Sequence, residues 1–200
     1  MAVLAALEND TAQDILEGCQ RGDSDSFRAL FELHKDKVYS VALRFSGDHA
    51  TAEDISQETF VKLFDTIGKF RGESKFESWL YRLVVNTCFD RRRRDRRILP
   101  MIEEFLGTLR APGRDALDEV MRAEMSGHIR MAVGGLPADQ RMVVVLRYTQ
   151  GLSYEEIGEI LGCPKGTIAS KLNRVHKSLE RRLTALAGKG TSKGARHGFE

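Results

Sequence analysis

Gly166, Ser170, Asn173 and Lys177 fall at spacings that turn them toward one outer face of a helix, flanked by Thr167 and Arg174. Lysine and arginine can donate to the acceptor edge of guanine, and threonine and serine hydroxyls can serve bases or phosphates. Ile168, Leu172, Val175 and Leu179 fall on the opposite side, at the spacing of a buried stripe. A second basic concentration holds six arginines between residues 91 and 97 against Asp95 alone. So many like charges on one helix repel one another, and a face of phosphates explains them better than internal salt bridges do. Between residues 48 and 65 the balance reverses, with Asp48, Glu53, Asp54, Glu58 and Asp65 against Lys62. One acidic surface and two separate basic ones imply two kinds of partner, although the formal net charge of the chain is only +2. This is the chemistry of recognition.

Bond-making chemistry has no matching residues. Cys19, Cys88 and Cys163 are odd in number and lack metal-ligand spacing, and none of the five histidines pairs with a cysteine at zinc spacing. No phosphate loop or nucleophile–base set is present, so no catalytic residue, metal or cofactor is expected, and the chain reads as a non-enzyme. Isolated cysteines favour reduced thiols in the cytoplasm. The apolar opening, residues 2–7, is too short for a membrane span or a signal core, so no direct membrane insertion is expected.

The basic helix needs a partner to position it. In Gly151-Leu152-Ser153-Tyr154-Glu155-Glu156-Ile157, Ser153 can cap a short helix and Glu156 can complete a capping box. Ile157, Ile160 and Leu161 supply its apolar stripe. Gly162 then permits a left-handed turn and Pro164 ends the helix. A short helix, a tight turn and a longer helix with a polar, basic outer face suit a major groove. An ordinary amphipathic helix pair with solvated charges has the same pattern. A free-standing helix-turn-helix regulator accounts for residues 151–187 equally well, though not for the acidic and arginine-rich helices. A nucleic-acid-processing enzyme would need an acid–base or metal set that is missing.

Upstream, no sustained period-two alternation occurs, and the chain reads as all-α. One helix is expected over residues 25–45, with Phe27, Leu30, Phe31, Val38, Val41 and Phe45 at core spacing. A second, residues 50–67, would bury Ile55, Phe60, Leu63, Phe64 and Ile67. A polar loop, residues 68–74, leads to a third at 75–97 with Trp79, Leu80, Leu83, Val84 and Phe89 as its apolar residues. Pro100, Gly107, Pro112 and Gly113 should interrupt any long helix thereafter, yet Met101, Ile102, Phe105, Leu106 and Leu109 are too apolar for a free tether. A further helix should reach Val133 and break at Gly134-Gly135. Pro137 should then open the next at its first helical position. Met142, Val143, Val145, Leu146 and Tyr148 would form that helix's apolar face, with residues 143–145 locally ambiguous with strand. The expected architecture is two small helical domains joined by a linker, the second containing the helix-turn-helix. Its segments are an N-terminal extension (1–19), a first domain (20–97), the linker (98–114), a second domain (115–187) and a disordered tail (188–200).

Leu136-Pro137, Arg141, Leu146-Arg147-Tyr148, the 151–157 segment above and Gly166-Thr167 together resemble the C-terminal DNA-binding domain of bacterial sigma factors. Residues 52–60 (Ala-Glu-Asp-Ile-Ser-Gln-Glu-Thr-Phe), 70–74 (Phe-Arg-Gly-Glu-Ser) and 76–82 (Phe-Glu-Ser-Trp-Leu-Tyr-Arg) resemble the family's core-binding and promoter-melting domain. Two domains with one short linker is the layout of the extracytoplasmic-function group of the sigma-70 family, and the resemblance covers about residues 20–187. It implies a factor that binds core RNA polymerase, directs it to promoter DNA and initiates transcription. Asp54, Gln57, Glu58 and Phe60 would dock on the polymerase. Arg71, Glu73, Ser74, Lys75, Trp79, Arg91 and Arg92 would hold the melted −10 element, although Trp79 also has the spacing of a core anchor. Lys165, Thr167, Ser170, Lys171 and Arg174 would read the −35 element as duplex. The linker would run through the polymerase cleft, and an anti-sigma factor would hold the protein in check. Two departures stand out. Gly158 replaces the family's usual alanine, at about 1 kcal/mol of helix propensity. Ala169 stands where many members carry a lysine or arginine, which puts the usual −35 sequence in doubt.

Overall fold

Asp23 starts the first long helix by accepting a hydrogen bond from the Ser26 N–H at 2.9 Å, which satisfies one of the amides a helix start leaves unpaired. This helix, α1 (Ser24–Ser46), ends at Gly47, whose amide bonds back to the Leu43 carbonyl at 2.8 Å. Asp48 caps α2 (His49–Thr66) in the same way, accepting from the Thr51 N–H at 2.8 Å. These contacts come from a computed structural model that describes residues 13–105, 129 and 132–190, with side chains for 13–95, 129 and 132–184. The expected C-terminal tail beyond residue 190, most of the linker and the start of the second domain lie outside the described residues. So do residues 1–12 and the side chains of Arg96 and Arg97.

The chain divides into two compact units. In the first, residues 13–20 are helical and precede α1. Leu30, His34, Val38, Val41, Ala42 and Phe45 recur at three- and four-residue intervals, which puts them on the face that α1 buries. Ala52, Ile55, Thr59, Phe60 and Leu63 do the same for α2. A 3-10 turn (Ile67–Lys69) and a loop lead to α3 (Phe76–Phe105), which buries Leu80, Val84, Val85 and Cys88. Fully buried side chains of this size each contribute about 1.5–3 kcal/mol relative to exposure.

Three sequence expectations need correcting here. Phe64 is 58% exposed and Phe31 37% exposed, so neither is core. Phe64 follows Leu63 directly, and a step of one residue swings a side chain about 100° around a helix, away from the buried stripe. Its ring instead meets Phe27 edge-on at 5.0 Å, and Phe31 meets Phe60 at 4.7 Å, leaving an open apolar groove between α1 and α2. Third, α3 does not stop at Arg97. Its backbone is helical through Pro100 to Phe105, because a proline removes one amide donor while the residues beyond it can keep theirs.

Further along the chain, a helical turn at 132–134 and the bend at Leu136 lead into α4 (Ala138–Tyr148), with Pro137 as its N-cap and not its first helical residue. Then come α5 (Tyr154–Leu161) and α6 (Lys165–Gly190). Met142, Val143, Val144, Val145 and Leu146 are all buried in α4, so the valine run is core helix and not strand. Leu136, Val144 and Val175 pack as one cluster with Val133 and Leu179 against it. Tyr148, expected on that apolar face, is 58% exposed, and its hydroxyl shares a 2.6 Å hydrogen bond with His176 Nε2. The phenol finds a polar partner on α6, which the apolar face could not supply. Among the described residues there is no strand, and no helix is long and apolar enough to cross a membrane.

Candidate nucleic-acid and protein interfaces

The α5–turn–α6 unit is held by local bonds that its sequence dictates. The Ser153 N–H donates to Glu156 Oε2 at 2.9 Å, and the Glu156 N–H donates to Ser153 Oγ at 3.2 Å, closing the capping box. Gly162 takes φ +64, the left-handed conformation that reverses the chain. The Cys163 N–H then bonds the Gly158 carbonyl at 2.9 Å, and a Cβ on Gly158 would come within 2.6 Å of the Cys163 carbonyl oxygen. The missing alanine therefore has a steric cause. Arg147, assigned no role in the sequence, donates to the Leu152 carbonyl at 2.9 Å and lies 5.2 Å from the centre of the Tyr154 ring, fixing the approach to α5.

On α6, Ile168, Leu172 and Val175 are buried and Thr167, Ser170, Asn173, Arg174 and Lys177 are exposed. The expected outward face is present. Ser170 Oγ donates to the Gly166 carbonyl at 2.9 Å, leaving its lone pairs as acceptors. The two lysines are engaged. Lys171 Nζ lies 2.8 Å from Asp139 Oδ2, and Lys165 Nζ is paired with Glu155 Oε1. The hydrogen bond from Lys171 holds the Asp139 carboxyl below the usual carboxylate range, and Lys165 does the same for Glu155. Neither carboxylate was singled out from the sequence. The signal would have been an acid in the first turn of each preceding helix.

In the first unit, Asp54 and Gln57 are exposed on α2, while Phe60 is only 7% exposed, with its ring against Phe31. Glu58 pairs with Lys62 at 2.9 Å, and Lys62 also lies 3.6 Å from Asp90. Asp54 Oδ2 lies 2.9 Å from Arg91 Nη1. The first arginine of the run is thus joined to an acid of α2, an internal salt bridge of the kind the sequence reading ranked below a face of phosphates. Arg92 is half-buried, and Arg93 and Arg94 are exposed. The groove beside α2, about 680 Å³, is lined by Phe27, Phe31, Tyr39, Phe60, Val61 and Phe64, with Glu53 and Gln57 at its edge.

The loop before α3 carries exposed Arg71, Glu73 and Lys75 and a half-buried Ser74. Behind it, Trp79 is half-buried with its ring 5.3 Å from Phe70 and 5.9 Å from Phe76, which makes it a partly exposed anchor of the loop. Gln20 Nε2 donates to the Phe70 carbonyl at 2.8 Å, tying the loop to the preceding segment. His34 lies 5.4 Å from Phe76, and its burial holds the imidazole pKa below its ordinary value. Burial pushes the Cys88 thiol up to about 12, far from a reactive thiolate.

Two family models match the chain: Sigma-70 region 2 over residues 30–98 and Sigma-70, region 4 over residues 127–179. The RNA polymerase sigma-H factor of Pseudomonas aeruginosa is 32% identical over 90% of this chain and 97% of its own length. The ECF RNA polymerase sigma factor SigW of Bacillus subtilis is 35% identical over 84% and 94%, and the ECF sigma-E factor of Escherichia coli 34% over 90% and 97%. Among solved structures, the sigma factor RpoE of Bartonella quintana, in complex with the anti-sigma factor NepR, aligns with TM-score 0.63 and 26% identity over 79% of this chain and 96% of its own. CnrH, in complex with the cytosolic domain of CnrY, shares the fold at TM-score 0.64 and 21% identity over 88% and 98%. With both regions matched in order, and relatives matched over nearly their whole length, the chain belongs to the sigma-70 family as an extracytoplasmic-function sigma factor, which directs transcription initiation.

Proposed function

We propose that the first unit docks on core RNA polymerase and captures the opened −10 element, and that the second reads −35 as duplex DNA. The domains would divide as residues 20–97 and 115–187 around a linker at 98–114. The observation that carries the reading is the face of α6, where Thr167, Ser170 and Arg174 stand exposed directly opposite the buried Ile168, Leu172 and Val175. Such a helix can enter a major groove without uncovering its core. Asp54, Gln57 and Glu58 give α2 an acidic surface that steers and orients docking on a basic partner. Phe60 contributes only its edge, and the adjoining groove supplies the apolar area. Arg71, Glu73, Ser74, Lys75 and the partly exposed Trp79 would hold unstacked bases, which need cations, hydrogen-bonding groups and a ring face. Arg91 and Arg92 would follow the backbone phosphates. The protein acts in the cytoplasm, has no catalysis of its own, and is restrained by an anti-sigma factor, as the solved complex of the Bartonella quintana relative suggests.

Run-off transcription from a promoter library, with this chain reconstituted on core polymerase, tests the reading. Enriched sites should carry two elements at a fixed spacing. Arg174→Ala should lose about 1–3 kcal/mol of discrimination at one −35 position while keeping its affinity for core. Absence of a transcript with core, or an unchanged −35 preference in the variant, would overturn it.

A further inference from the structure

Two lysines in the first two turns of the recognition helix are bound by carboxylates from the helices before it, Lys171 by Asp139 of α4 at 2.8 Å and Lys165 by Glu155 of α5. Arg174 makes no ion pair among the described residues and is exposed. A free lysine is a flexible point charge that finds any phosphate, whereas one held by a carboxylate keeps fewer donors and a narrower reach. Phosphate neutralisation supplies essentially all sequence-independent affinity for DNA. We propose that Asp139 and Glu155 are specificity-determining residues that restrain Lys171 and Lys165, suppressing indiscriminate phosphate binding so that Thr167, Ser170 and Arg174 decide which duplex is bound. The inference rests on the −35 reading of α6.

The two pairs differ in a way that ranks their effects. Side-chain exposure is 26% for Lys171 and 52% for Asp139, against 63% and 56% for Lys165 and Glu155. Solvent weakens the second pair more, so Asp139 is the stronger restraint. The bonds themselves keep both carboxyls ionised well below neutral pH, so the restraint operates throughout the physiological range. Ser170, held to the Gly166 carbonyl, is likewise fixed in place.

The test uses holoenzyme reconstituted from this chain and core polymerase, with labelled duplexes carrying either a selected −35 element or a scrambled one, titrated over a range of salt. Asp139→Asn should bind the scrambled duplex several-fold more tightly and lower the selected-to-scrambled ratio by a similar factor. Its log-affinity against log-salt slope should steepen by about 0.9, the increment for one additional phosphate contact. Glu155→Gln should move the same way by less. Adding Lys171→Gln to Asp139→Asn should return the slope to that of the native chain, which a misfolded domain would not do. Glu159→Gln, which removes an exposed charge one turn along α5, separates restraint from a general field effect. An unchanged slope in Asp139→Asn, or an equal change in Glu159→Gln, overturns the inference while leaving −35 recognition standing. If native holoenzyme does not distinguish the two duplexes, the −35 reading falls and takes this inference with it.

Discussion

Exchanging His34 for phenylalanine should flatten the response of the first unit to acid. His34 is only 5% exposed, its Nδ1 has no hydrogen-bond partner, and its ring packs 5.4 Å from Phe76. Burial disfavours the imidazolium first, the Lys37 charge adds to that, and Glu77 opposes it without prevailing. Lys37 and Glu77 are themselves paired at 2.5 Å across α1 and α3, which spends much of the stabilisation Glu77 could offer. The native pKa therefore lies below the ordinary value of 6.5, and the unfolded chain takes up the proton first. Stability from the neutral ring is fully present above about pH 6.5 and falls as pH descends toward the native pKa, at up to about 1.4 kcal/mol per pH unit. Trp79 is the only tryptophan, and it lies in the first unit 5.9 Å from Phe76, so its fluorescence isolates this unit during urea unfolding. Between about pH 7.5 and 5.5, His34→Phe should lose less stability than the native chain, by up to about 1.4 kcal/mol for each unit below 6.5. Carboxylates titrating in both chains cancel in the difference. Parallel stability–pH curves for the two proteins would refute the argument, because they would mean that His34 protonates equally well folded and unfolded.

Two further substitutions probe the helix-turn-helix. Ser153→Ala removes one bond of the capping box from a helix of only eight residues and should cost about 1 kcal/mol, read as a lower urea midpoint for the second unit with weaker binding to −35 duplex. A change of only a few tenths would mean that Glu156 alone holds the helix start. Gly158→Ala gains about 1 kcal/mol of helix propensity, but its Cβ would press on a backbone oxygen at 2.6 Å, and overpacking of that kind costs about 1–3 kcal/mol. The expected net effect on thermal unfolding is destabilising, and a raised melting temperature would show that the turn yields easily.

The helices were legible because their signals are local and periodic. Apolar residues recur at three- and four-residue intervals along α1 and α2, and Ser153 and Glu156 mark the start of α5. Periodicity could not show how wide a face is buried. Phe31, Phe64 and Tyr148 all continue a plausible stripe and all lie at its edge, where exposure depends on what packs alongside. Proline misled for a related reason. Pro100 forbids one amide bond, and the expectation treated it as forbidding a helix. The candidate site residues on α2, on the loop and on α6 do lie at the surface or near it, with Phe60 the most deeply covered.

What the sequence concealed is pairing between charges far apart in the chain. Clusters of one sign suggest a partner of the other sign, and here part of that partner is the protein itself: Asp54 with Arg91, Asp139 with Lys171, Glu155 with Lys165. The pairs are partly solvent-exposed and the first two each contribute about 1 kcal/mol, so they matter little to folding. That weakness suits exchange. For Asp54 and Arg91, an ion pair worth so little can be given up to a phosphate or to a basic surface of the polymerase with small loss, whereas a strong one would hold the residues permanently. Asp54 and Arg91 are assigned to different partners in the proposed function, so each would give up the bond they share on meeting its own partner, and the small worth of that bond is what lets both engage.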